Sequence, residues 1–192
     1  MTTSTYVIDM KLTEIGQATK GTNPREVIVV LGPAYGKELN KTIVKVDHAA
    51  VLREILSGIE EQGAVPKVIR SLRTADLAFM AHGAAQLSGS GISIGLQSRG
   101  TVVVHQRDLD PLSNLELFPQ SPVISLDMYR KIGQNAAKYA LGESPNPVLV
   151  VNDAMTRPKY QAIAALLYLK ECQSLIPHQK PIELKVEFSI TE

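Results

Sequence analysis

Apolar and polar positions along the chain follow two rhythms, a period of two in short runs and a helical period between them. Residues 26–31 (EVIVVL) form a β-branched run suited to a buried central strand. The run ends in Gly32-Pro33-Ala34-Tyr35-Gly36, a turn where strands of layered α/β proteins open toward ligands. Residues 42–46 alternate and predict a short edge strand. Between Asp47, a good N-cap, and Gly63, a good stop, Val51, Leu52, Ile55, Leu56 and Ile59 recur at helical spacing. Residues 65–71 predict another strand, and 75–86 a helix capped by Thr74. Residues 91–97 and 101–105 predict strands joined or interrupted at Arg99-Gly100. Ser125 caps a helix ending at Gly142, with Leu126, Tyr129, Ile132, Ala136 and Ala140 as its stripe. Residues 148–151 predict a short strand. Thr156 and Pro158 open a helix to about Glu171, and residues 182–188 alternate as a half-exposed last strand.

Strands alternating with helices argue for an α/β fold. The chain has no Trp and three Phe, so small and β-branched side chains must fill the core, as in a parallel sheet buried by helices. The expected fold is a Rossmann-like layered domain with a mostly parallel central sheet flanked by helices. It spans residues 24–192, and the weakly periodic residues 1–23 read as an N-terminal arm. A length of 192 residues suits one domain with a real core.

Charge and cysteine usage narrow the function classes. The net charge of +1 carries no electrostatic appetite for nucleic acid or an anionic membrane surface. A single cysteine, Cys172, excludes an internal disulfide framework. No apolar run approaches the ~20 residues of a membrane span, and the N-terminus has no signal pattern. The expected setting is the cytoplasm.

The stretch 87–120 concentrates the candidate chemistry. Gly89, Gly91 and Gly95 are followed by Gln97, Ser98 and Arg99, a β-branched run, and a loop with Leu112, Leu115, Leu117 and Phe118. The GxGxxxG spacing superficially resembles a dinucleotide fingerprint, but it precedes a strand instead of opening a helix. It reads either as a tight turn or, preferably, as bare backbone approaching a bulky ligand. His48, His82, His105 and His178 show no metal-ligand spacing. No nucleophile elbow or phosphate loop occurs. Arg73 and Asp76 lie at a strand-to-helix junction, where ligand contacts and plain surface pairs are both common. Arg157 and Lys159 oppose the dipole at the start of a helix, a cost that an anionic or amide-rich partner would offset and that chance would also explain. Residue patterns alone thus give an α/β domain with a polar, glycine-lined face and no self-contained catalytic constellation.

Several stretches resemble the medium (β) subunit of adenosylcobalamin-dependent glycerol and diol dehydratases. They are VLGPAYG (30–36), LREILSGIEEQG (52–63), KVIRSLRTADLAFMA (67–81), LSGSGISIGLQSRGTVVVHQRDL (87–109), PLSNLELFPQ (111–120), YRKIGQNAAKYA (129–140) and NDAMTRPKYQA (152–162). The resemblance implies a Rossmann-like subunit covering the lower, nucleotide side of adenosylcobalamin. Its partners would be a large barrel subunit and a small subunit in a dimer of heterotrimers, with a reactivating factor as a transient partner. The complex would be a hydro-lyase converting glycerol to 3-hydroxypropanal, or 1,2-diols to aldehydes, with loss of water. The ~250 residues of such a barrel exceed this chain, so the reacting centre would lie on another polypeptide.

Carried over position by position, the resemblance implies that Asp76, Arg99, Leu112, Arg157 and Tyr160 face the cofactor, with Asn114 and Gln120 from the same loop. It implies no catalytic residue and no metal ligand here. The family usually has lysine where this chain has Arg99 (QSRG against QSKG), which exchanges an ammonium for a longer, planar cation. The DxHxxG pattern of enzymes that place a histidine on cobalt is absent, in keeping with a cofactor bound through its own base. The alternative is the small subunit of a dehydratase-reactivating factor, a chaperone-like relative expected to lack the PLSNLELFPQ and TRPKYQ segments. An independent nucleotide-binding oxidoreductase domain is disfavoured by the misplaced glycines.

Overall fold

A computed structural model describes residues 7–191. Seven strands form one sheet: β1 (Val7–Gln17), β2 (Glu26–Leu31), β3 (Val65–Arg70), β4 (Ile92–Leu96), β5 (Val102–Gln106), β6 (Glu116–Phe118) and β7 (Ile182–Thr191). Four α-helices accompany them: α1 (His48–Glu61), α2 (Leu77–Leu87), α3 (Leu126–Leu141) and α4 (Thr156–Gln173). The spatial order is β1-β7-β3-β2-β4-β5-β6.

The expected mostly parallel, Rossmann-like sheet is corrected by this order. Only β2–β3 and β2–β4 run parallel, whereas β1–β7, β3–β7, β4–β5 and β5–β6 are antiparallel. The reason is local. The five residues 97–101 are too few for a crossover, so the chain must return alongside β4 as β5. Gln97 N donates to Thr101 O (3.1 Å) and Gly100 N to Gln97 O (2.9 Å), with Gly100 at φ +102° closing the hairpin. At the other edge the two ends of the chain meet, β1 lying along β7. Part of the stretch expected as an arm is therefore strand.

Two further expectations differ. Residues 42–46 make a turn with an isolated Lys41–Asp47 bridge in place of an edge strand. Residues 148–151 run outside any strand, with Leu149 and Val151 exposed, because no sheet edge reaches them.

One face of the sheet carries α1 and α3 and the main core, in which Val29, Leu31, Val102 and Val104 meet Leu52, Ile55, Ile59, Tyr129 and Ile132. Gly58 and Gly133 let these helices approach backbone to backbone: a Cβ on Gly133 would lie 2.2 Å from Ile55 O. The opposite face holds a smaller cluster, with Ile28, Val30 and Ile69 against Met80 and Ala84 of α2. Asp76, not Thr74, caps α2, accepting from Phe79 N at 3.1 Å; Ser125 caps α3, accepting from Met128 N at 3.3 Å. No helix among the described residues is long and apolar enough to cross a membrane.

Candidate functional site

The β4–β5 hairpin turn is held from four directions. His48 on α1 donates from Nε2 to Ser98 O (2.7 Å), while its Nδ1 accepts from Gly36 N (3.2 Å). Ile43 N donates to Arg99 O (3.1 Å), and the Tyr129 hydroxyl on α3 donates to Gly100 O (2.7 Å). Ser98 donates from N to both carboxylate oxygens of Glu171 on α4 (3.2 Å each) and from Oγ to Oε1 (2.6 Å). So many bonds to one turn fix the direction of the side chain between Ser98 and Gly100. That side chain is Arg99.

Strand alternation then sorts the side chains. Val102 and Val104 enter the α1–α3 core, whereas Gln97, Arg99, Thr101 and Val103 line a cleft on the other face. Arg99 Nε donates to Gln97 Oε1 (2.9 Å) and Thr101 Oγ1 (3.1 Å), and its guanidinium carbon lies 5.9 Å from the centre of the Tyr168 ring. Gln97 is steadied in turn by donating to Ala75 O (2.8 Å).

The cleft has a volume of about 790 Å³, within the range of small-molecule sites. The hairpin forms its floor, the start of α2 and the 112–122 loop form two sides, and α4 forms another wall. All seven residues expected to face a cofactor line it. Asp76, Leu112, Asn114 and Arg157 are exposed at the rim; Arg99, Gln120 and Tyr160 are partly buried. Gln120 donates from Nε2 to Asn152 Oδ1 (2.9 Å), while its buried Oε1 has no hydrogen-bond partner among the described residues.

Other residues at or beside the cleft were not expected to face a cofactor. Gln97 and Thr101 flank Arg99 at the two-residue period of a strand, and Tyr168 lies two helical turns beyond Tyr160; both spacings were available as signals. Glu171 was not. A carboxylate 1% exposed has no periodic signature. Burial pushes its pKa above the usual carboxylate range, against the pull of the Ser98 hydrogen bonds and of Arg99 and Arg70. Tyr168 is also raised, by burial and then by Cys172. Burial lowers His48 to about 4, so it stands neutral, donating from Nε2 and accepting at Nδ1. Among the described residues no group of three or more His, Cys, Asp or Glu side chains could hold a metal ion.

Fold and site together define a mixed α/β domain that offers an open, amide-rich cleft. The family model described as "Dehydratase medium subunit" matches residues 32–146, more than half of the chain, and the protein belongs to that family. Its function is that of a dehydratase medium subunit. Among solved structures, the chain is similar to one titled "Glycerol dehydratase reactivase", at 22% identity and a TM-score of 0.52, covering 62% of this chain and 95% of that one. A second is titled "Structure of diol dehydratase-reactivating factor complexed with ADP and Mg2+", at 23% identity and a TM-score of 0.48, covering 63% and 95%.

The first of these structures corrects the resemblance drawn from sequence motifs. The solved fold it shares, at an identity that shows the fold alone, is that of a reactivase, which points away from the glycerol/diol dehydratase medium subunit itself. Membership of the wider family stands, and between the two functional readings it favours the dehydratase subunit over the reactivating factor. The reactivase also leaves more than a third of this chain without a counterpart.

Proposed function

We propose that the cleft covers one side of adenosylcobalamin at the boundary with a larger subunit of a hydro-lyase acting on glycerol or 1,2-diols. The observation that carries this reading is the convergence of Asp76, Arg99, Leu112, Asn114, Gln120, Arg157 and Tyr160 on one cleft. The donor set fits the group. The periphery of cobalamin is made of neutral amides and one nucleotide phosphate, and the cleft offers an orphaned amide oxygen on Gln120, two guanidinium groups and hydroxyls, without a metal-binding cluster. Arg99 spends only Nε on its neighbours in the hairpin, so its terminal nitrogens remain for an amide or phosphate oxygen. When bound, the cofactor supplies radical chemistry, and the protein supplies position. Arg99 and Arg157 would hold acceptor groups, Asn114 and Gln120 amides, and Leu112 would keep water from an apolar edge.

A partner chain is supported by exposed apolar side chains. Leu112 at the cleft, and Leu149, Met155, Leu166 and Leu169 outside its lining, are all at least 60% exposed. The expected partners are the large and small dehydratase subunits, with a reactivating factor as a transient one.

The test is reconstitution in the cytosol of a bacterial host. The chain alone is expected neither to dehydrate propane-1,2-diol nor to retain cobalamin through gel filtration, and to do both when co-expressed with a large and a small subunit. Arg99→Ala in the complex should weaken retention about ten- to a hundredfold, the worth of one charged hydrogen bond. Diol dehydration by the purified chain alone would sink the proposal. Co-purification with an ATPase-like large subunit, and not with a barrel subunit, would favour the reactivating-factor reading.

A further inference from the structure

The wall formed by α4 is attached in an unusual way. Of its 18 residues only Thr156 and Glu171, near its two ends, are buried, and between them Ile163, Leu166 and Leu169 are exposed. An apolar stripe does not hold this helix to the sheet. Its most deeply buried side chain is the carboxylate of Glu171.

We propose that Glu171 is a latch, a positioning residue that seats α4 against the β4–β5 hairpin and thereby sets the width of the cleft. Three observations carry this. First, the socket is built for a carboxylate: Ser98 offers its amide and its hydroxyl to the same side chain, at 3.2 and 2.6 Å. Second, the socket exists because residue 32 is glycine; a Cβ there would lie 1.8 Å from Glu171 Oε1. Third, Ser98 is the neighbour of Arg99, and Tyr168, three residues before Glu171 on the same helical face, lies beneath the Arg99 guanidinium. Docking of α4 and placement of Arg99 are therefore one event. A carboxylate at a helix C-terminus opposes the dipole and loses its hydration on burial. Residues that merely fill space are not of this kind.

The charged and titratable groups around the latch are Arg99 on the hairpin, Arg70 at the end of β3, Tyr35 after β2 and, through Ser98, His48 on α1. Burial raises the carboxyl above its ordinary 4.5 when α4 is docked, so the docked form holds a proton more tightly than the undocked form. Docking is accordingly tightest below about 4.5 and weakens as pH rises through the docked value.

Hydrogen exchange on the full chain tests the latch, with the protection of α4 amides expressed relative to α1. Glu171→Ala should lower α4 protection about ten- to a hundredfold, and Ser98→Ala about tenfold. Glu171→Gln, which keeps one acceptor, should restore part of the protection and flatten the decline of α4 protection with rising pH. Unchanged α4 protection in Glu171→Ala, or equal loss in α1 and α4, would overturn the proposal, as would a pH profile identical in Glu171→Gln and the parent chain. The consequence for the cofactor rests on the function proposed above. Faster cobalamin loss from the Glu171→Ala complex is expected, and unchanged retention alongside lost α4 protection would leave the latch standing and count against the cleft as the cofactor site.

Discussion

The two helical faces of the molecule are built on opposite principles. On one, α1 and α3 bury Leu52, Ile55, Ile59, Tyr129 and Ile132 against the sheet and touch each other backbone to backbone at Gly58 and Gly133. On the other, beside the small apolar cluster under α2, α4 buries only Thr156 and one carboxylate and leaves Leu166 and Leu169 in solvent. Burial of an aliphatic side chain is worth roughly 1.5–3 kcal/mol and has no direction; a hydrogen-bonded carboxylate contributes less net stability but only in one geometry. The first face makes the fold. In the latch proposed above, α4 sets a position, which a ligand wall needs more than it needs stability.

The contrast is open to attack by mutation. The largest effect is expected at the closest approach: Gly133→Val should cost about 3 kcal/mol or more, because α1 and α3 must part to admit the side chain. Urea unfolding measures this, and an unchanged midpoint would mean that the contact carries no weight. Acidification should come next. Burial depresses the folded pKa of His48 to about 4, so the folded state resists the proton that the unfolded chain takes up. Stability is complete above the unfolded pKa of 6.5 and lost as pH falls toward 4, by at most roughly 3 kcal/mol. A His48→Gln chain should show a flatter profile over that window, whatever its stability at neutral pH.

Smaller effects sharpen the other half of the comparison. Tyr129→Phe removes the hydroxyl that ties α3 to the hairpin and strands Gly100 O, at a cost of about 1–2 kcal/mol in the same unfolding assay. Arg157→Ala, on the exposed first turn of α4, should change stability by no more than about 0.5 kcal/mol while weakening cobalamin retention in the assembled complex. A marked fall in melting temperature for that variant would show that α4 is part of the core after all, and unchanged retention would remove Arg157 from the site.

Periodicity located the elements well where one face is buried. The stripe from Val51 to Ile59, the Ser125 cap and the Gly142 stop all appear in the structure as the sequence predicts them. It failed at residues 148–151, whose run of apolar side chains looks like a strand but finds no edge to pair with. Strand direction was open to inference too, since a five-residue link between β4 and β5 allows only an antiparallel return, and the core composition argued the other way. Arg99, Gln120 and Arg157, far apart in the chain, came together as lining of one cleft, on motif resemblance and not on spacing.

By itself the sequence determined where the chain turns and which faces are apolar, because these follow from neighbours a few residues apart. Tertiary structure alone decided that β1 joins β7, that β7 pairs antiparallel with β3, and that Glu171 reaches Ser98 across 73 positions. A strand pair depends on which edges are free once the rest has folded. A buried carboxylate depends on donors and a vacant Cβ that other segments bring to it, and no local pattern encodes either.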